Sequence, residues 1–198
     1  MKKDPETDFL AQYITEVKEG LDRLDLQSLE KIKEALLSAH AKGSTVFVLG
    51  NGGSATTASH FACDLAKGTL EDTDKKRKRF RVVCLADSIS LLTAWANDTD
   101  YSLVFREQLI NLLGPEDVVV AFSTSGNSPN VVRAIEYANE LGALTIGFTG
   151  SPGGRLGQIA KLRLIVPLES VTKVEDIHIL LQHALCLQLR RELSARKG

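Results

Sequence analysis

Apolar residues recur at helical spacing through the first forty positions and then gather into short, nearly unbroken runs. In residues 8–22, Phe9, Leu10, Tyr13, Ile14, Val17 and Leu21 fall three or four apart, which predicts an amphipathic helix. Either Asp25 or Ser28 caps a second predicted helix carrying Leu29, Ile32, Leu36 and Leu37, and Gly43 after Ala41-Lys42 is its stop signal. Five apolar runs follow, at Thr45–Leu49, Arg81–Ala86, Asp117–Phe122, Leu144–Thr149 and Leu162–Val166. Runs without alternation suit parallel strands buried on both faces. Helices are predicted between them, at about Ser54–Lys67, Ser88–Ala96, Pro129–Leu141 and Gly153–Ile159, with a long last helix over about Val174–Leu193. The alternation implies an α/β fold with a doubly wound parallel sheet and right-handed crossovers. Its ligand is expected beyond the carboxyl ends of the strands, near the reversal of strand order. Residues 1–198 are read as one domain, with 1–43 a helical extension and 44–198 the α/β core and last helix.

Charge and cysteine usage narrow the function classes. Lys+Arg (24) and Asp+Glu (25) nearly cancel, so no global field draws the chain to nucleic acid or to a membrane surface. A bound anion must then be held by local geometry. Cys63, Cys84 and Cys186 are odd in number and set in apolar runs, as for buried free thiols in the cytosol. The start MKKDPETDF has no apolar stretch after its lysines, and no run approaches a membrane span. The charged run Glu71–Arg79 reads either as a solvated loop or as a basic rim attracting an anionic substrate.

Two loops carry candidate chemistry. The first predicted strand runs into Gly50-Asn51-Gly52-Gly53-Ser54, where glycines allow a sharp turn and close approach of a ligand to the N-terminus of the next helix. Simple turning is the other account. The loop lacks the lysine of a P-loop and the spacing of a dinucleotide fingerprint. The third strand runs into Ser123-Thr124-Ser125-Gly126-Asn127-Ser128 with Pro129 following. One hydroxyl suffices to cap a helix; four make an anion cradle. With neither loop holding Arg or Lys, a phosphate monoester is favoured over a nucleoside triphosphate. His60 and Asp64 lie four apart and share a helix face, either as a solvated pair or as proton-handling or metal-liganding groups. In the last helix Glu175 and His183 are eight apart, about 12 Å of rise, too far for one ion to be held easily from one helix. His178 points away from His183 and reads as structural.

GNGGSA, HFACDL, ANDTDY and FSTSGNSPNVVRAI together resemble the sugar isomerase (SIS) domain family, and within it the phosphoheptose isomerases, over about residues 8–193. The resemblance implies a flavodoxin-like five-stranded parallel sheet, a homotetramer and active sites built between subunits. It implies isomerisation of sedoheptulose 7-phosphate to a manno-heptose 7-phosphate. An isomerase acting on another sugar phosphate, or a non-catalytic regulator binding a protein or sugar phosphate, are the alternatives. It places a metal, Zn²⁺ or a similar divalent ion, on His60, Asp64, Glu175 and His183. The expected acid/base pair is Asp64 and His183. Phosphate and sugar contacts are expected from Asn51, Gly52, Gly53, Ser54, Asp64, Asn97, Asp98, Ser123, Thr124, Ser125, Ser128 and Glu175. For Asn97-Asp98 a simple turn is the other reading. The chain departs from the family pattern twice: Asp64 stands where glutamate is usual, and Glu175 where glutamine is usual.

Overall fold

A computed structural model describes residues 5–70 and 78–195, with side chains from residue 8 onward. Most of the charged run Glu71–Arg79 therefore lies outside the described residues. The chain opens with helices α1 (Pro5–Asp22) and α2 (Leu26–Lys42). Asp25 caps α2, its carboxylate accepting the Gln27 and Ser28 amides at 3.0 and 3.1 Å. Gly43 ends the helix in the left-handed region, at φ 79°. Five strands follow: β1 (Thr45–Leu49), β2 (Arg81–Cys84), β3 (Val118–Ser123), β4 (Leu144–Gly150) and β5 (Leu162–Val166). They form one parallel sheet in the order β2-β1-β3-β4-β5, so the order reverses between β1 and β3.

The intervening helices are α3 (Gly53–Cys63), α4 (Ile89–Asp98), α5 (Val104–Leu112), α6 (Pro129–Leu141), α7 (Gly154–Ile159) and α8 (Val171–Ala195). The predicted helix over 54–67 is split: α3 ends at Cys63 and opens into a π-turn, Asp64–Gly68, with the Thr69 amide bonded to the Asp64 carbonyl at 3.1 Å. Helix α5 and the 3-10 turn before it (Tyr101–Leu103) are not anticipated by the sequence pattern. Their apolar stripe is short, and Gln108 takes one of its buried positions by donating to the Leu85 and Val104 carbonyls.

Alternation along the strands sends side chains to two cores. Val46, Val48, Val118, Val120, Phe122, Ile146 and Phe148 join Ile32, Leu36, Phe61, Leu65, Ile177 and Leu181 on one face, under α2, α3 and α8. Phe47, Leu49, Val119 and Ala121 join Phe105, Leu109, Val131, Ile135 and Leu156 on the other, under α5, α6 and α7. At the rim Lys33 of α2 is nearly buried and meets Glu30, Glu34 (3.0 Å) and, on α8, Glu192 (2.6 Å), pinning the last helix to the extension. Among the described residues no helix is long and apolar enough to cross a membrane.

His178 is structural, as read from the sequence. Its ring is 1% exposed and sits edge-on to Phe122 and Phe148, with centroids 5.7 and 6.0 Å away. Burial lowers its pKa to about 4. The folded state therefore stays neutral while the unfolded chain binds a proton near pH 6.5, so stability falls as pH drops from about 6.5 to 4. Denaturant titrations should show a loss of roughly 3 kcal/mol from this group across that window. The His178→Leu variant should show a slope shallower by up to one proton. An unchanged slope would assign the titration to other groups.

Candidate functional site

Because β1 and β3 are neighbours on either side of the reversal, the two candidate loops leave the sheet side by side. They enclose a cleft of about 280 Å³ lined by Asn51, Gly52, Gly53, Ser54, Phe122, Ser123, Thr124, Ser128, Val171 and Glu175. Two helix N-termini open onto it. The N-cap of α3 is Gly52, which has no side chain to occupy the first-turn amides. The N-cap of α6 is Ser128, whose hydroxyl makes no capping bond. Side chains cap α2 and α4, through Asp25 and Ser88, whereas α5 and α7 also begin without a side-chain cap bond. Two N-termini with free caps, each the positive end of a helix dipole, converge with hydroxyls on one small space. Such a space suits an anion.

The hydroxyl loop is held from outside. The Leu156 amide donates to the Gly126 carbonyl at 2.8 Å, and the Arg155 amide donates to Asn127 Oδ1 at 2.9 Å. Ser123 and Ser128 bring their hydroxyl oxygens to 3.5 Å. Ser125 is exposed, its Oγ accepting the Asn127 amide at 3.2 Å, and it does not line the cleft. Asn97 and Asp98 also stand outside it, exposed at the end of α4, where Asn97 donates to Asp98 at 2.8 Å.

A second group of side chains forms where α3 packs on α8. His60 and His183 meet with Nε2 atoms 3.2 Å apart and rings nearly perpendicular. Asp64 Oδ2 lies 3.6 Å from His60 Nε2 and 3.7 Å from His183 Nε2. The π-turn begins at Asp64, a kind of helix defect that recurs at functional sites. These three residues could hold a metal ion. Donor atoms on a tetrahedral ion with bonds of 2.0–2.1 Å lie roughly 3.3 Å apart, so the spacing fits. Glu175, expected as a fourth ligand, is not in this group. It sits two turns up α8, against Gly53, where an added Cβ would fall 2.4–2.6 Å from its carboxylate. The rise between positions 175 and 183 separates them, as the helix geometry requires. Sequence reasoning singled out neither Val171 and Phe122, which wall the cleft, nor Asn130 and Tyr101, which bond to Asn51. For Asn130 the only signal was its place in the FSTSGNSPNVVRAI segment.

Gly126 combines φ +65° with a contact no side chain can fit: a Cβ would lie 2.1 Å from the Gly153 carbonyl oxygen. Gly52, at φ +54°, has open space around it. Denaturation should show Gly126→Ala destabilised by about 2 kcal/mol or more, and Gly52→Ala by only about 1. Equal losses would mean that backbone strain alone matters at both.

A model of the SIS domain matches residues 11–150. The phosphoheptose isomerase of Aquifex aeolicus is 38% identical, covering 86% of this chain and 87% of that protein. The phosphoheptose isomerase of Helicobacter pylori is also 38% identical, over 85% and 89%. Among solved structures, the phosphoheptose isomerase from Neisseria gonorrhoeae superposes with a TM-score of 0.83 at 30% identity, covering 96% of this chain and 98% of its own. The Francisella tularensis phosphoheptose isomerase gives 0.84 at 26% identity, covering 96% and 99%. With its sheet order, its two loops at the strand reversal and these relatives, the chain belongs to the SIS domain family and, within it, to the phosphoheptose isomerases.

Proposed function

We propose that this protein interconverts sedoheptulose 7-phosphate and D-glycero-D-manno-heptose 7-phosphate. The observation that carries the reading is the pair of helix N-termini, neither capped by the side chain of its N-cap residue, that meet over Ser54, Ser123, Thr124 and Ser128. They suit the phosphate, each lost hydrogen bond to it costing about 1–3 kcal/mol. Glu175 faces the same space and accepts hydrogen bonds from sugar hydroxyls. Asn51, Gly52 and Gly53 supply the turn, while Ser125, Asn97 and Asp98 reach substrate only from the rim.

The reaction needs no redox partner. A proton leaves C1 of the ketose and is returned at C2, through an enediolate, while one proton leaves O1 and one is gained at O2. Asp64 and His183 form the acid/base pair, one moving the carbon-bound proton and the other serving the oxygens. A Zn²⁺ ion on His60, Asp64 and His183 would polarise the carbonyl and stabilise the enediolate charge. With one of its oxygens holding such an ion, Asp64 would keep the other for proton transfer, while a metal-bound His183 would keep a ring N–H to donate. Incubation with sedoheptulose 7-phosphate should yield the aldose. Asp64→Asn should lower kcat by about 100-fold or more. Ser128→Ala should raise KM by about fivefold or more. Chelation should reduce the rate, and zinc restore it. Absence of product at any metal content would overturn the assignment; full activity in metal-free protein would remove the ion from it.

The working form is a homotetramer in the cytosol. The phosphate cleft and the His60–Asp64–His183 group lie at opposite ends of α3, so a second copy completes each site. Surfaces suited to that association are Phe9, Leu10 and Ile14 on α1, Ile179, Leu180 and Leu187 on α8, and α4, which buries no residue in its own subunit. The three thiols are free, Cys84 and Cys186 buried but Cys63 exposed rather than buried as expected, and free thiols suit a reducing compartment. Light scattering at micromolar concentration should give four times 21.6 kDa. A monomer retaining full activity would exclude shared sites.

A further inference from the structure

Asn51 and Asn130 face each other across the cleft wall and pair amide to amide. Asn51 Nδ2 donates to Asn130 Oδ1 at 2.8 Å, and Asn130 Nδ2 donates to Asn51 Oδ1 at 2.9 Å. Each oxygen takes a second bond. Asn51 Oδ1 accepts the Tyr101 hydroxyl at 3.1 Å, and Asn130 Oδ1 accepts the Val131 amide at 3.0 Å. A carboxamide oxygen has two lone pairs, so both acceptors are full, and each nitrogen keeps one N–H. The Val131 N–H can only donate; it sets which way round the Asn130 amide lies, and the pairing then sets Asn51. Asn130 is 1% exposed, where an unpaired amide would be costly.

The pair joins two particular points of the backbone. Asn51 directly precedes Gly52, the N-cap of α3, and Asn130 is the second residue of α6. We infer that Asn130 is a positioning residue: through Asn51, with Tyr101 as a third member, it holds the N-termini of α3 and α6 at the one separation at which both serve the same anion. The inference rests on the phosphate reading proposed above. Neither loop has a basic side chain that could swing to follow a displaced ligand, so the donors are backbone amides and short hydroxyls. Their positions follow the spacing of the two helices. Asn51 is itself left with one N–H for substrate. Tyr101, 58% exposed, reaches in from the segment after α4 and ties that segment to the same lock.

Three measurements on the full chain test this. In ligand-free protein, hydrogen exchange across residues 50–54 should quicken about tenfold or more in Asn130→Ala, because the loop loses its tether. The Kd for inorganic phosphate, by calorimetry, should rise about tenfold or more, and Tyr101→Phe should raise it about threefold. Since both act through Asn51, Tyr101→Phe should add nothing in the Asn130→Ala background. In turnover the loss should appear in KM more than in kcat. Asn130→Ser keeps an oxygen for the Val131 amide and carries the same expectations should the alanine variant fail to fold. Unchanged exchange would overturn the lock whatever the ligand does. Faster exchange with an unchanged phosphate Kd, or a Tyr101→Phe effect equal in both backgrounds, would overturn its positioning role. Wild-type protein that binds no phosphate would overturn the cradle reading, and the positioning role with it, while the exchange result still reports on the lock itself.

Discussion

The parallel pairing of β1 with β3, Val46 with Val118 through Leu49 with Ala121, is the contact from which the site follows. Strand order reverses at that seam, so the crossovers from the two strands run to opposite faces of the sheet: α3 under one core and α6 under the other. Two helices starting side by side and diverging leave a gap between their N-termini. Nothing apolar need fill that gap, and here its floor is Phe122 with polar loops above. The ordinary hydrophobic demand to bury both faces of the sheet thus creates, as a by-product, a place where amide dipoles converge.

What distinguishes this cleft from any strand-reversal crevice is how its polar groups are divided between ligand and fold. The side-chain oxygens that brace the loops are bonded: Asn127's by the Arg155 amide, Asn130's by Asn51 and the Val131 amide, and Asn51's by Asn130 and Tyr101. Ser128 makes no capping bond, and the glycine cap of α3 has no side chain to make one. The asparagines serve as struts, and in the proposed reading the hydroxyls and amides take the ligand. Rigid, unoccupied donors are what anion recognition without cationic side chains requires, because no flexible charge is present to correct a poor fit. Glu175 adds a carboxylate to this otherwise electropositive space, directly over Gly53. In the reading proposed above, the phosphate takes the hydroxyl side and the sugar meets the carboxylate.

The His60–Asp64–His183 group depends on a different contact, the packing of α3 on α8. Phe61, Leu65, Leu181 and Leu185 bury the shared seam, and the polar residues ride on its exposed edge. The π-turn starts at Asp64. Both histidines lie within 3.7 Å of the Asp64 carboxylate oxygen.

Much of this was legible in the chain itself. Strands are legible because a parallel sheet buried on both faces demands unbroken apolar runs, and β1 and β5 match their predicted limits. The caps of α2 and the Pro129 start of α6 are local signals, set by residues within one turn. The two glycine- and hydroxyl-rich loops were equally plain, since a tight turn at a helix start restricts composition wherever it occurs. Other features needed the tertiary structure. The π-turn arises from i to i+5 bonding that no residue type announces, and α5 has too short a stripe to stand out. Glu175 and His183 share a helix in sequence, but only the fold decides that one faces the glycine turn and the other faces His60. Asn51 and Asn130, 79 positions apart, look like any two asparagines until the sheet reversal sets their loops together. Local chemistry selects which residues can turn, cap or bind; which of them meet is decided by packing, because long-range contacts answer to the burial of the whole sheet.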